Sequence, residues 1–171
     1  MKVTTSGFLE TGNIMIIPVF EGCNKAPNNA TTNLNRSASI AVKSAFASDS
    51  LTGKLGESLS IWTKECQIIL LGVGEKNDLT TKKSRDTGAK CFASLSKNHG
   101  TKIVIRYTSG WEIKNMVAFT EGMILRDYAF DKYQKKDEDD KGPWSLIGQT
   151  AERYENAFSS AIENVYSVAT G

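Results

Sequence analysis

The chain has 171 residues, enough for one domain with a sizeable core and short of two. Apolar residues make up 40% and charged residues 23%, a globular composition that excludes wholesale disorder. The 21 Lys and Arg against 19 Asp and Glu leave a net charge of +2, which argues against nucleic acid or an anionic membrane as a partner.

Lys2–Thr5 reads as a short first strand. Ile14–Phe20 is a strong one, β-branched and apolar after a Thr-Gly-Asn turn signal. Pro18 lacks an N–H, so this strand is expected at a sheet edge or with a bulge. Gly22 to Asn35, rich in Asn, Thr and Pro, reads as loop. Arg36 to about Ala47 then reads as a helix capped by Asn35, with Ile40, Ala41, Ala45 and Phe46 on one face. Glu57–Trp62 alternates polar and apolar, as a strand with one wet face does. Gln67–Val73 is continuously apolar and predicts a central strand covered on both sides. Asp78–Lys97 follows as a helix that Asp78 or Thr80 can cap, with Ala89, Phe92 and Leu95 or Ser96 at helical spacing.

Lys102–Arg106 is another short apolar strand. Ile113, Met116, Val117, Thr120, Met123, Ile124 and Tyr128 repeat at helical steps, so Glu112–Asp127 reads as an amphipathic helix with Glu112, Lys114, Asn115 and Glu121 on its polar side. Gly122 costs about 1 kcal/mol against Ala in a helix, and its presence predicts close packing on a strand. Lys135–Lys141 is a charge run, and with Gly142 and Pro143 it reads as an exposed loop. Trp144–Gly148 reads as a last strand, and Thr150 can cap a final helix whose face is Tyr154, Phe158, Ala161 or Ile162, Val165 and Val168 or Ala169. Strands alternating with helices predict an α/β fold, a three-layer sandwich on a mixed, mostly parallel sheet. The short link between the strands at Glu57 and Gln67 predicts one antiparallel pair.

Cys23, Cys66 and Cys91 are odd in number and lack C-x-x-C spacing, so they predict thiols in a reducing compartment. Met1–Glu10 has no long apolar stretch, so no signal peptide is expected and a cytoplasmic location is. No apolar run approaches the ~20 residues that cross a bilayer. His99 is the single histidine and falls at an expected helix C-terminus, where the dipole favours it. A Ser-His-Asp triad would need it, yet no G-x-S-x-G elbow precedes a candidate serine. The loop Gly72–Lys76 lies where a phosphate-binding glycine loop would, but the third fingerprint glycine falls at Asn77, so a structural turn is the expected role. A nucleotide-like ligand held by backbone N–H groups is the alternative. Asp137, Glu138, Asp139 and Asp140 lack EF-hand spacing and read as a solvated loop. Trp62, Trp111 and Trp144 read as core or rim packing.

Three segments in order resemble the N-terminal domain of the cytosolic leucyl aminopeptidase family. Thr52-Gly53-Lys54-Leu55-Gly56-Glu57 matches a T-G-K-x-G-E stretch. Leu70-Leu71-Gly72-Val73-Gly74-Glu75-Lys76 matches L-x-G-x-G-E-K. Glu121-Gly122-Met123-Ile124-Leu125-Arg126-Asp127-Tyr128-Ala129-Phe130-Asp131-Lys132-Tyr133 matches the most specific of the three. The resemblance implies a sandwich similar to macro domains. It also implies a family chemistry seated elsewhere, in a C-terminal domain holding two divalent metal ions (Zn, Mn or Mg) with carboxylates and a lysine in an N-T-D-A-E-G-R context.

None of those motifs occurs in this sequence, so no catalytic, cofactor-binding or metal residue is carried onto any position. The expectation is therefore one non-catalytic domain over residues 1–171, with about 150–171 as the helix leading to that catalytic domain. The intact protein is expected to be a homo-hexameric, metal-dependent exopeptidase acting on peptides. The rival reading is a macro-like nucleotide- or nucleic-acid-binding module; the Lys82, Lys83, Arg85 and Lys132, Lys135, Lys136 clusters would have to converge for the latter.

Overall fold

A computed structural model describes residues 2–4, 13–27, 29–64, 66–96, 102–133, 144–150 and 156–164. Its strands are β1 (Lys2–Thr4), β2 (Asn13–Val19), β3 (Ser58–Trp62), β4 (Gln67–Gly72), β5 (Lys102–Arg106) and β6 (Ser145–Gln149). The helices are α1 (Arg36–Ala47), α2 (Thr81–Ala93) and α3 (Ile113–Tyr133), with residues 156–164 helical as well (α4). One six-stranded sheet runs in the order β1-β6-β5-β2-β4-β3. Its pairs are parallel except β3 with β4, so the sheet is mixed and mostly parallel, as the alternation of elements predicts.

Two cores form because successive side chains of a strand point to opposite faces. Ile69, Leu71, Ile103 and Ile105 face α2, α3 and α4. Ile68, Leu70 and Val104 face α1 and the loop before it. β4 is buried from Ile68 onward, contributing to both cores, as its unbroken apolar run predicts. The result is a three-layer α/β sandwich.

Pro18 corrects an expectation. β2 lies in the interior of the sheet, and its register with β4 passes through Pro18 opposite Leu71 without a bulge. The carbonyl of Val19 accepts from Val73 N–H at 2.9 Å, so Val19 faces β4 and, by alternation, Pro18 faces the β5 side. On that side the β2–β5 register ends at Ile16 opposite Ile105. The missing N–H therefore falls past the end of the ladder.

The helices correct others. Asn35 caps α1, accepting from Ala38 N–H at 2.8 Å, but the buried face is Ala38, Val42, Ala45 and Phe46, and Ile40 is 55% exposed. Thr80, not Asp78, caps α2, accepting from Lys83 N–H at 3.2 Å. Asp78 instead closes a one-turn 3-10 segment, and α2 ends at Ala93. Its buried face is Ser84, Thr87, Gly88, Cys91 and Phe92. α3 continues to Tyr133, buries Asn115 and Asp127, and leaves Tyr128 exposed.

Gly122 packs on a helix and not on a strand: a Cβ there would overlap the Arg85 carbonyl of α2. Gly88 of α2 meets the Phe119 carbonyl of α3 in the same way. The two glycines let the helix backbones approach where a larger residue would hold them apart. Of the final helix face, Phe158 and Ile162 are buried; Tyr154, Val165, Val168 and Ala169 lie outside the described residues.

Candidate functional site

The C-terminal ends of β2 and β5 meet where the chain leaving β2 runs to β3 and β4 on one side and the chain leaving β5 runs to β6 on the other, the usual ligand position of open α/β sheets. Here that position is occupied by the chain's own loops. The Gly72-Val73-Gly74 stretch donates its N–H groups inward, from Gly72 to Glu57 O (2.6 Å), Val73 to Val19 O (2.9 Å) and Gly74 to Gly53 O (3.0 Å). A Cβ at Gly72 would overlap the Lys54 carbonyl, and one at Gly53 would overlap the Phe20 carbonyl. Gly53, Gly56 and Gly74 adopt φ of 82°, 86° and 81°, conformations in which a side chain is strained. The glycines let two loops lie back to back.

The first of those loops makes an anion-binding concavity and fills it itself. Glu57 accepts from the N–H groups of Thr52 (3.0 Å), Gly53 (2.9 Å) and Lys54 (3.2 Å) and from the Thr52 hydroxyl (2.8 Å). Successive N–H groups around a carboxylate form such a nest. The Thr52 hydroxyl foremost holds Glu57 below its ordinary pKa; burial opposes it, and the three backbone donors add to the lowering. T-G-K-x-G-E is thus a closed turn. The sequence carries one signal of it: a Glu reaching back three residues to a backbone N–H is the spacing of a capping box, and Lys54 and Glu57 have that spacing.

The surroundings are acidic. A cleft of about 210 Å³ next to Gly74 is lined by Glu21, Glu75 and Asp78 with Lys83 as its cation. Those three carboxylates oppose a diphosphate, and the two central N–H groups of the loop are already satisfied. A second cleft, about 400 Å³, lies over Pro18, Cys23, Lys25, Pro27, Thr108 and Ser109. A third, about 650 Å³, runs between β3 and α2 over a floor of Ile69 and Leu71.

A buried arginine and a half-buried asparagine support these loops. Arg106 donates from Nε to Gln149 Oε1 (3.0 Å) and from Nη1 to the carbonyls of Ala30 (3.1 Å) and Thr32 (2.6 Å), and burial lowers its pKa. Asn29 Nδ2 donates to Tyr107 O at 3.1 Å. Together they pin Asn29, Ala30 and Thr32, in a stretch that composition alone described only as irregular. The Tyr107 hydroxyl donates to Met116 O at 2.9 Å and lies at hydrogen-bond distance, 2.8 Å, from Thr120 Oγ1. Burial raises the Tyr107 pKa, which keeps the phenol protonated.

The third motif also serves structure. Glu121 pairs with Arg85 at 3.1 Å across α2 and α3, beside the Gly122 contact. Cys23, Cys66 and Cys91 are free thiols, and burial pushes Cys91 up to about 12. Trp111 and Trp144 are core, whereas Trp62 is 60% exposed on β3. His99, the acidic group Asp137–Asp140, and Lys135 and Lys136 lie outside the described residues. Among the described residues no three His, Cys, Asp or Glu side chains converge as metal ligands, so these residues do not fit a pair of divalent ions. None of the described helices is long and apolar enough to cross a membrane.

Residues 16–137 match the family model described as the N-terminal domain of the cytosol aminopeptidase family. A probable cytosol aminopeptidase of Protochlamydia amoebophila is 31% identical over 59% of the chain, and one of Aquifex aeolicus is 30% identical over 76%. The chain spans about a quarter of those relatives' length, 21% and 27%. Among solved structures, a tomato leucine aminopeptidase mutant superposes with a TM-score of 0.66 at 16% identity, covering 99% of the chain and 36% of its own. The bottromycin maturation enzyme BotP in complex with Mn superposes at 0.53 and 13% identity, covering 94% of the chain and 30% of its own.

Proposed function

We infer the role of this chain from one premise: it belongs to the cytosol aminopeptidase family, as that family's N-terminal domain. We propose that it is the non-catalytic part of a longer cytoplasmic exopeptidase that releases N-terminal residues from peptides. The described residues form a single domain. Residues from about 150 onward are read as the helix leading to a catalytic C-terminal domain, the intramolecular partner. Two divalent metal ions, Zn, Mn or Mg, belong in that second domain, where they would activate water and polarise the scissile carbonyl. A homo-hexamer built chiefly by catalytic domains is the proposed assembly.

One observation carries the non-catalytic reading. Five residues spread over the three family motifs are engaged in closing the fold: Glu57 fills its own nest, Gly72 and Gly74 bond neighbouring loops, and Glu121 and Gly122 join two helices. The macro-like nucleotide alternative finds no support in an acidic cleft whose loop N–H groups are used.

The isolated chain is expected to release no product from Leu-anilide substrates with Mn, Mg or Zn supplied. Metal-dependent turnover that co-purifies with the chain and survives controls for host peptidase would overturn the reading.

A further inference from the structure

Loops close the end of the sheet beside β4, but a gap stays open on the β5 side of β2. Its cause is Pro18. β2 and β5 pair as far as Ile16 opposite Ile105, and the next donor on that side would be the N–H that a proline lacks. Tyr107 N–H turns to Gln149 O on β6, so Thr108, by alternation, faces β2, yet its N–H makes no bond to the Pro18 carbonyl. The strands part at this point. The cleft of about 400 Å³ is lined there by Pro18 and Phe20, by Thr108 and Ser109 after β5, and by Lys25 and Pro27.

Thr108 is the group that points to a ligand. It is 4% exposed, and its hydroxyl forms no hydrogen bond with a described residue. A buried hydroxyl without a partner is costly, and one that lines a cleft can be satisfied from there. No Asp or Glu lines this cleft and Lys25 is its cation, in contrast to the acidic cleft beside Gly74. The walls are held in advance, by Cys23 N–H on Phe20 O (3.3 Å) and by Asn29 Nδ2 on Tyr107 O (3.1 Å).

We infer that this cleft binds a free α-amino acid with an apolar side chain. The Thr108 N–H and hydroxyl, with the Lys25 ammonium, take the carboxylate. The Pro18 carbonyl takes the α-ammonium, and Phe20 and Pro27 take the side chain. A broken ladder leaves a donor on one strand and an acceptor on the other, and a zwitterion answers both. A phosphate would answer the donor and set an anion against the carbonyl. The volume lies within the usual range of small-molecule sites. Binding here is independent of the aminopeptidase reading and is measured without turnover.

L-Leucine titrated into the unmodified chain should bind with a Kd of about 0.1–1 mM, the range for so small a ligand in an open cleft. Amide shifts in NMR spectra should centre on Phe20, Lys25, Thr108 and Ser109. Isocaproate, which lacks the ammonium, isoamylamine, which lacks the carboxylate, and inorganic phosphate should each bind at least about tenfold more weakly. Thr108→Val removes a hydroxyl that has no partner in the free protein, so it should keep or raise Tm while weakening leucine about tenfold. Lys25→Met, at an exposed position, should fold as the parent does and weaken leucine as well. No leucine binding at about 10 mM, shifts centred away from the cleft, isocaproate, isoamylamine or phosphate bound as tightly as leucine, or a folded Thr108→Val or Lys25→Met chain that binds leucine as the parent does would each overturn the proposal.

Discussion

At the scale of single residues, Glu57 shows how a side chain can take over a ligand's place. Its folded pKa lies below the ordinary value of 4.5, so its stabilising effect is complete above that value and is lost as pH falls through the depressed one. Glu57→Gln should therefore flatten the acid limb of the stability curve below about pH 4.5 while leaving its shape near neutrality unchanged. Chemical denaturation at a series of pH values measures this, and parallel acid limbs would show that the nest contributes nothing. Leu70, fully buried between β4 and α1, gives a second test. Leu70→Ala should cost about 2–5 kcal/mol, read as a shift of the denaturant midpoint at constant m. Its burial was legible from the apolar run alone. Arg106 was not, because an arginine at a strand end looks solvated until the 29–33 segment is known to fold over it and offer carbonyls.

At the scale of elements, the α2–α3 crossing is the least predictable contact in the molecule. Gly88 and Gly122 each lower helix propensity by about 1 kcal/mol against Ala, so their replacement in an isolated helix would stabilise it. Here the added methyl meets a backbone carbonyl of the facing helix, which cannot swing away as a side-chain tip does. Gly122→Ala and Gly88→Ala should accordingly destabilise by about 1–3 kcal/mol. Thermal melts of the two variants check it; a higher Tm would mean the helices can separate without loss. The Arg85–Glu121 pair beside this contact is partly exposed and contributes at most about 1 kcal/mol, so the crossing is held mainly by packing. Helix caps behaved more simply. Asn35 caps α1 as its sequence position predicts, because the cap bond spans only three residues. The buried faces of α1 and α2 differ from their apolar spacing: α1 buries Ala38 and Val42 and leaves Ile40 exposed, and α2 buries Ser84, Thr87 and Gly88, the last against the Phe119 carbonyl.

At the scale of the whole molecule, stability should be graded across the sheet. β2, β4 and β5 are covered on both faces, whereas β3 is the outer strand among the described residues and is only half-buried. Amides of Ile16, Leu70 and Val104 should exchange slowest, by global unfolding, and those of β3 faster, through local opening. Uniform exchange rates across the four strands would show that the sheet opens as one unit. The α/β class, the two-sided burial of β4 and the antiparallel β3–β4 pair were determined by the sequence itself. Hydrophobic runs, turn residues and link lengths act over a few positions and survive without knowledge of the partner. The family was legible for the same reason, since its motifs are contiguous stretches. Only the tertiary structure decided the strand order that puts Pro18 inside the sheet, the helix surface that requires Gly122, and the closure of the glycine loops by Glu57. Each of these depends on which distant backbone arrives at 3 Å, and one-dimensional periodicity carries no information about that arrival.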